Sequence, residues 1–146
     1  MSDERQFCTC TVDGLYLGIA VHQVQEVIRA LDMTAVPLAP RAVHGLINLR
    51  GQIITAIDLR RRLGVSDRAP GQQPMHVVVR TDDGAVSFLV DEIGDVIETD
   101  RATFEPAPAM LNADARTLVK GVHKLDDRLL LVLDTTLAAQ VESVAA

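Results

Sequence analysis

At 146 residues the chain can bury roughly 70% of the surface it exposes when unfolded, which allows one domain, or two small packed units, with a real core. Hydrophobic residues at 48% and charged residues at 23% are ordinary soluble proportions and exclude disordered and fibrous classes. A net charge of −6 sets the mean field against phosphate backbones, and with no Trp, three Phe and one Tyr there are few rings to stack on bases, so nucleic acid is excluded as the main ligand.

Taken in chain order, the N-terminal "MSDERQ" is polar and acidic and carries no secretory pattern. The longest apolar run, "LLLVL" at 129 to 133, is far short of the ~20 residues needed to cross a bilayer, so the expectation is a cytoplasmic protein without direct membrane insertion. Strands are expected at "CTCTV", "LYLGIAV", "VQEVI", "GLINL", "QIITAID", "MHVVVR", "AVSFLVDEI", "DVIE", "VKGVHKL" and "RLLLVLD". These segments are short, rich in Val, Ile, Leu and Thr, and punctuated by turn pairs such as "DG" at 13 to 14 and at 83 to 84. Cys8 and Cys10, two apart in the first of them, are expected on one strand face as small buried hydrophobes. Asp58 and Asp134 stand where an N-cap opens a helical turn, Gly64 closes the first turn, and "TTLAAQVESVAA" is expected to run on as a C-terminal helix. The three arginines of "DLRRRLG" would project about 100° apart and form no stripe, so they are expected on a solvated helical turn.

The chain repeats itself. Residues 18 to 28, "GIAVHQVQEVI", lie over 87 to 97, "SFLVDEIGDVI", a displacement of 69; residues 43 to 58 lie over 119 to 134, a displacement of 76. Val43, Gly45, Leu49 and Asp58 recur as Val119, Gly121, Leu125 and Asp134, and the seven extra residues fall in the "TFEPAPAMLNADART" loop. Two copies of one supersecondary unit, joined by the polar, Pro- and Gly-containing 65 to 74 segment, are the result. About five short strands per unit favour two small barrels over one open sheet. On that basis one barrel is expected over approximately 14 to 68 and the other over 72 to 140, with the N-terminal strand crossing between them.

Chemistry is hard to find. Ser2, Ser66, Ser87 and Ser143 lie in no nucleophile-elbow pattern, and His22, His44, His76 and His123 are scattered one per segment. No phosphate-cradling loop and no metal-ligand spacing occurs. The expectation is a protein with no catalytic residues, no cofactor and no metal.

"GLINLRGQIITAIDLRRRLG", together with "VHQVQEVIR", "VSFLVDEIGDVIETD", "FEPAPAM" and "VKGVHKLDDRLLLVLD" in that order, resembles the signature of the CheW-like domain family over nearly the whole chain. The resemblance implies an all-β fold of two intertwined SH3-like five-stranded β-barrels. It also implies a non-catalytic chemotaxis adaptor that holds the cytoplasmic tip of chemoreceptors against the regulatory domain of the histidine kinase CheA. With no kinase or receiver motif, the chain is similar to the family's free-standing adaptors, expected to be monomeric alone and to work at receptor arrays on the inner face of the membrane. Carried onto this sequence, the likeness implies receptor-contacting positions at Val24, Glu26 and Val96, and coupling positions at Gly45 and Arg50.

The residues themselves add to this. Gly51 after Arg50 fits a tight turn with positive φ, and Gly45 permits close approach of a backbone, although turn geometry alone accounts for either. Arg50 at a hairpin tip can offer a forked donor to a carboxylate, and Glu26 is the expected partner. Val24 and Val96 suit a core position as well as a docking surface. A sensory module would instead need a cavity lined by convergent polar groups, and an enzyme a convergent acid and base.

Overall fold

The computed structural model describes residues 5–29, 31–100 and 103–141. Eleven strands dominate: β1 (Gln6–Val12), β2 (Leu15–Ala20), β3 (Val24–Ile28), β4 (Val43–Leu49), β5 (Gln52–Asp58), β6 (Met75–Thr81), β7 (Gly84–Val90), β8 (Glu92–Glu98), β9 (Phe104–Glu105), β10 (Val119–Lys124) and β11 (Leu129–Leu133). Helix is confined to a 3₁₀ turn at Val21–Gln23 and to α1 (Leu59–Arg62), α2 (Ala113–Leu118) and α3 (Thr135–Ala139). Asp58 caps α1 by accepting from the Arg60 amide, and Asp134 caps α3 by accepting from the Leu137 amide, as the sequence indicates. The α3 helix stops at Ala139, and the remainder of the expected C-terminal helix, beyond Val141, lies outside the described residues. The Pro- and Ala-rich 103 to 117 segment is more than a loop, since it contains β9 and most of α2.

The expected all-β architecture is present as two sheets, ordered β8-β1-β2-β11-β10-β9 and β3-β6-β7-β5-β4. They are not consecutive halves of the chain. Each copy of the repeat places its third strand, β3 or β8, on the antiparallel pair begun by the other copy, so neither sheet boundary coincides with residues 65 to 74. The N-terminal strand β1 pairs with β2 on one side and with β8 on the other.

The repeat is retained in register. The parallel pair β2–β11 sets Leu17 against Leu131 and Gly18 against Val132; its counterpart β5–β7 sets Thr55 against Val86 and Ala56 against Ser87. The hairpins β4–β5 and β10–β11 slip at equivalent points, between Val43 and Gly45 and between Val119 and Gly121. Such a bulge inserts a residue on one strand and re-aims the side chains beyond it.

β1 alternates regularly against β2, so Phe7 joins Ala20, Leu130 and Val132 inside the first barrel, while Cys10 and Val12 join the core shared by both sheets. Cys8 is on the Cys10 face, as expected, but only Cys10 is buried and Cys8 is half-buried. The slip of β1 against β8 places its extra residue on β8, between Ile93 and Val96. Burial pushes the Cys10 thiol up to about 12 and raises Cys8 as well, so both remain protonated and unreactive at neutral pH.

The core has three parts. Ile47, Leu49, Ile54, Ala56, Val78 and Leu89 fill the second barrel, Phe7, Ala20, Leu130 and Val132 the first, and a larger cluster including Leu17, Ile57, Phe88 and Leu118 fills the space between. A barrel this small holds few side chains, so most apolar burial is found between the two units.

Two histidines are sealed into these layers. His76 is fully buried with Nδ1 3.0 Å from Ser87 Oγ, and His123 lies between the rings of Phe7 and Phe104 with Nδ1 2.8 Å from Thr103 Oγ1. Desolvation depresses both, reinforced at His76 by His44 and opposed at His123 by Asp100. Because the folded pKa lies below the ordinary 6.5, the unfolded chain binds more protons under that value, and stability present above pH 6.5 falls as the pH is lowered. Unfolding titrations between pH 7 and 5 should show this slope, and His76→Leu with Ser87→Ala should reduce it, leaving the share of His123. An unchanged slope in the double variant would place the acid sensitivity elsewhere.

Candidate functional site

The hairpin β4–β5 turns through two residues, Arg50 and Gly51, with Leu49 opposite Gln52. Both have positive φ, 54° and 86°, the combination a right-twisted hairpin favours and which Asn-Gly usually supplies. Left-handed backbone costs a non-glycine residue on the order of 1 kcal/mol, so an arginine here breaks the local rule. Asn48 holds the tip by accepting from the Gly51 amide at 2.9 Å.

That strained backbone aims the guanidinium. Arg50 Nη1 and Nη2 each donate to one Glu26 carboxylate oxygen at 2.6 Å. The expected pair therefore exists, but not between neighbouring strands: β3 and β4 are the two outer strands of their sheet, and the fork clasps them across the seam where the barrel closes. Its hydrogen bonds, before its charge, hold the Glu26 carboxyl below the usual range, and Glu26 in turn raises Arg50. The Arg50 side chain is 70% exposed and that of Glu26 21%. An exposed pair of this kind contributes little to stability, so what it fixes is geometry.

The other expected site residues divide. Gly45 is buried, and a Cβ there would lie 2.6 Å from the Thr34 carbonyl oxygen. The backbone it admits is the chain's own, since Thr34 and Leu46 exchange hydrogen bonds of 2.9 and 2.8 Å directly over it. Gly121 does the same beneath β9, against Glu105 O and the Phe104 ring. Val24 is half-buried against the shared core, so of its two sequence readings the core one fits. Val96 is 58% exposed on β8, the outer strand of the other sheet, and so is not brought onto the Glu26–Arg50 seam.

Two exposed apolar residues escape the sequence reading. Val27, 40% exposed on β3, lies beside Glu26, and the repeat signals it because Val96 overlays it. Ile53, 60% exposed, pairs with Asn48 just behind the tip. The strand alternation of "QIITAID" leaves Ile53 and Ile54 on opposite faces, so one of the two had to point outward.

Of the three arginines of "LRRR", Arg60 is withdrawn from solvent while Arg61 and Arg62 stay partly exposed. They diverge as expected, but Arg60 is buried, donating from Nε and Nη2 to Asp91 at 2.9 and 2.6 Å and from Nη1 to the Ser66 carbonyl at 2.8 Å. Asp91 also accepts from Arg68 Nε at 3.2 Å and from the Asp13 amide at 2.8 Å. Burial alone would raise Asp91, but the Arg60 and Asp13 hydrogen bonds and the two guanidinium charges outweigh it and hold its pKa low. This cluster ties the 65 to 74 segment to both sheets. Arg62 satisfies α3 by donating to the Leu137 and Ala138 carbonyls.

Among the described residues no three His, Cys, Asp or Glu side chains gather as a metal site, and no helix is long and apolar enough to cross a membrane. A charge-clasped strand edge with exposed valine and isoleucine beside it can receive another protein chain. Residues 6–142 match the CheW-like domain family model. A chemotaxis protein CheW from Helicobacter pylori is 30% identical over 128 residues, covering 88% of this chain and 77% of the relative. One from Thermotoga maritima is 32% identical over 123 residues, covering 84% and 80%. The crystal structure of the scaffolding protein TtCheW from Thermoanaerobacter tengcongensis superposes with a TM-score of 0.85 at 26% identity, covering 96% of this chain and 95% of that one. The chain belongs to the CheW-like domain family, and so to the chemotaxis scaffold proteins.

Two substitutions test the site's construction. Gly45→Ala should lower stability by about 1–3 kcal/mol, because the Thr34 crossing must move; calorimetry reads this directly. Arg50→Ala should leave the melting temperature nearly unchanged yet speed amide exchange along β3 and the hairpin tip. Exchange identical to the parent would mean that the clasp does not hold the seam.

Proposed function

We propose that this protein is a non-catalytic adaptor that holds the cytoplasmic tip of chemoreceptors against the regulatory domain of the histidine kinase CheA, at receptor arrays in the cytoplasm. The observation that carries the reading is the bidentate Arg50–Glu26 clasp at an otherwise unprotected strand edge, formed at the expense of a left-handed arginine. A structural tie needs no such residue; asparagine or glycine would make the turn more favourably. In this reading Glu26 and Arg50 present a fixed charged rim, with Val27 and Ile53 beside it as the apolar contact. Gly51 shapes the tip, Gly45 and Val24 support the strands from beneath, and Val96 serves a second contact on β8. By itself the adaptor is a monomer; it uses no cofactor, metal or nucleic acid, and it gains its effect from binding two partners at once.

The test is cosedimentation with CheA and with membranes carrying a chemoreceptor from the same organism, recording kinase autophosphorylation. Receptor-controlled phosphorylation should require this protein and weaken in Arg50→Ala, and an exchange of charges, Glu26→Arg with Arg50→Glu, should restore part of it. Full control in the alanine variant would remove Arg50 from the working surface. No binding to either partner would overturn the adaptor reading.

A further inference from the structure

The internal repeat keeps the acceptor of the seam but not its hairpin tip. Glu26 on β3 overlays Asp95 on β8, while the tip Arg50–Gly51 overlays Asp126–Asp127. The register is retained, since Leu125 donates to the Arg128 carbonyl at 2.9 Å as Leu49 faces Gln52 in the other hairpin. The first sheet thus keeps the carboxylate acceptor and replaces the arginine donor with a second carboxylate. The ion pairs among the described residues lie elsewhere. Instead of a clasp there is a hollow of about 430 Å³, lined by Thr9, Tyr16, Glu92, Asp95 and Arg128 among others. Arg128 is already engaged, its Cζ 3.6 Å above the Tyr16 ring. β8 is the outer strand of its sheet, so one side of its backbone is open to pairing.

We propose that this hollow is a docking slot for an arginine on an extended segment of a partner protein, whose guanidinium takes on Asp95 the place that Arg50 takes on Glu26. Charge complementarity selects the occupant, because the two carboxylates that line the hollow, Glu92 and Asp95, outnumber its one cation, Arg128, which is already engaged, and the chain next to Arg128 adds Asp126 and Asp127. The planar fork of arginine matches a carboxylate in two hydrogen bonds, as the other seam demonstrates, whereas lysine offers a point charge. Val96, exposed on the same strand, gives the segment an apolar neighbour for its next side chain. The slot deepens the adaptor reading and rests on it only in taking a protein as the partner.

The test is a titration of the isotope-labelled full chain, followed by nuclear magnetic resonance, with an end-capped threonine-valine-arginine-valine-threonine peptide and its citrulline analogue. Amide shifts should appear at Gly94, Asp95, Tyr16 and Arg128, with affinity reduced about tenfold or more for citrulline. Asp95→Asn should give the same loss. Asp126→Arg, which supplies the missing cation from the tip itself, should block the slot while leaving the rest of the spectrum in place. No shift at millimolar peptide, equal binding of the citrulline peptide, equal binding of argininamide alone, or undiminished binding by Asp126→Arg would overturn the slot. An arginine peptide that binds at Asp95 while kinase and receptor fail to cosediment would defeat the adaptor reading and leave the slot standing.

Discussion

Neither copy of the repeat can complete a sheet by itself. β1 and β2 need β8 and β11 from the second copy, and β6 and β7 need β3 and β5 from the first. The exchange of third strands, joined by the two parallel pairs, creates the shared core, and everything at the surface depends on it. The Asp91 cluster sits where this exchange is made, at the one residue between β7 and β8, and gathers Arg60, Arg68 and Asp13 around a single buried carboxylate. Removing one partner from such a cluster leaves an uncompensated buried charge, so its members are bound to one another more strictly than surface ion pairs are.

The seam is a product of the exchange. Because β3 is attached to β6, a strand of the other copy, its outer edge is brought round to β4 and the barrel closes there. An arginine at the hairpin tip can then reach Glu26, 24 residues away in sequence. Near-symmetry of the two copies makes their difference informative. The same backbone carries a closed, charge-clasped seam in one sheet and an open acidic hollow in the other, so one scaffold offers two unlike faces.

Much of this was legible in the chain. Short β-rich runs, turn pairs and the gapped repeat indicated the strand content, and an arginine at a hairpin tip indicated the Glu26–Arg50 pair. The exchange of strands between the two copies was not legible, because a strand's own residues do not say which neighbour it will pair with; only the sheet order shows that β3 and β8 change places. The same holds for the burial of Cys8: alternation puts it on the face of Cys10, but only Cys10 reaches the shared core. Arg60 reads as a surface residue beside two other arginines, since nothing near it in sequence announces the Asp91 carboxylate 31 residues away. Gly45 announced a close approach, but not that the approaching strand would be the chain's own Thr34 crossing.

The interleaving also governs what happens when the chain is cut or crowded. A nick within residues 65 to 74 would not release two halves, because each fragment supplies strands the other cannot replace; the pieces would stay together as a noncovalent complex. By the same reasoning, two chains refolding at high concentration can satisfy every pairing by trading whole copies across that segment. The product would be an intertwined dimer with the surface of two monomers, a hazard built into any fold that completes its sheets by exchange.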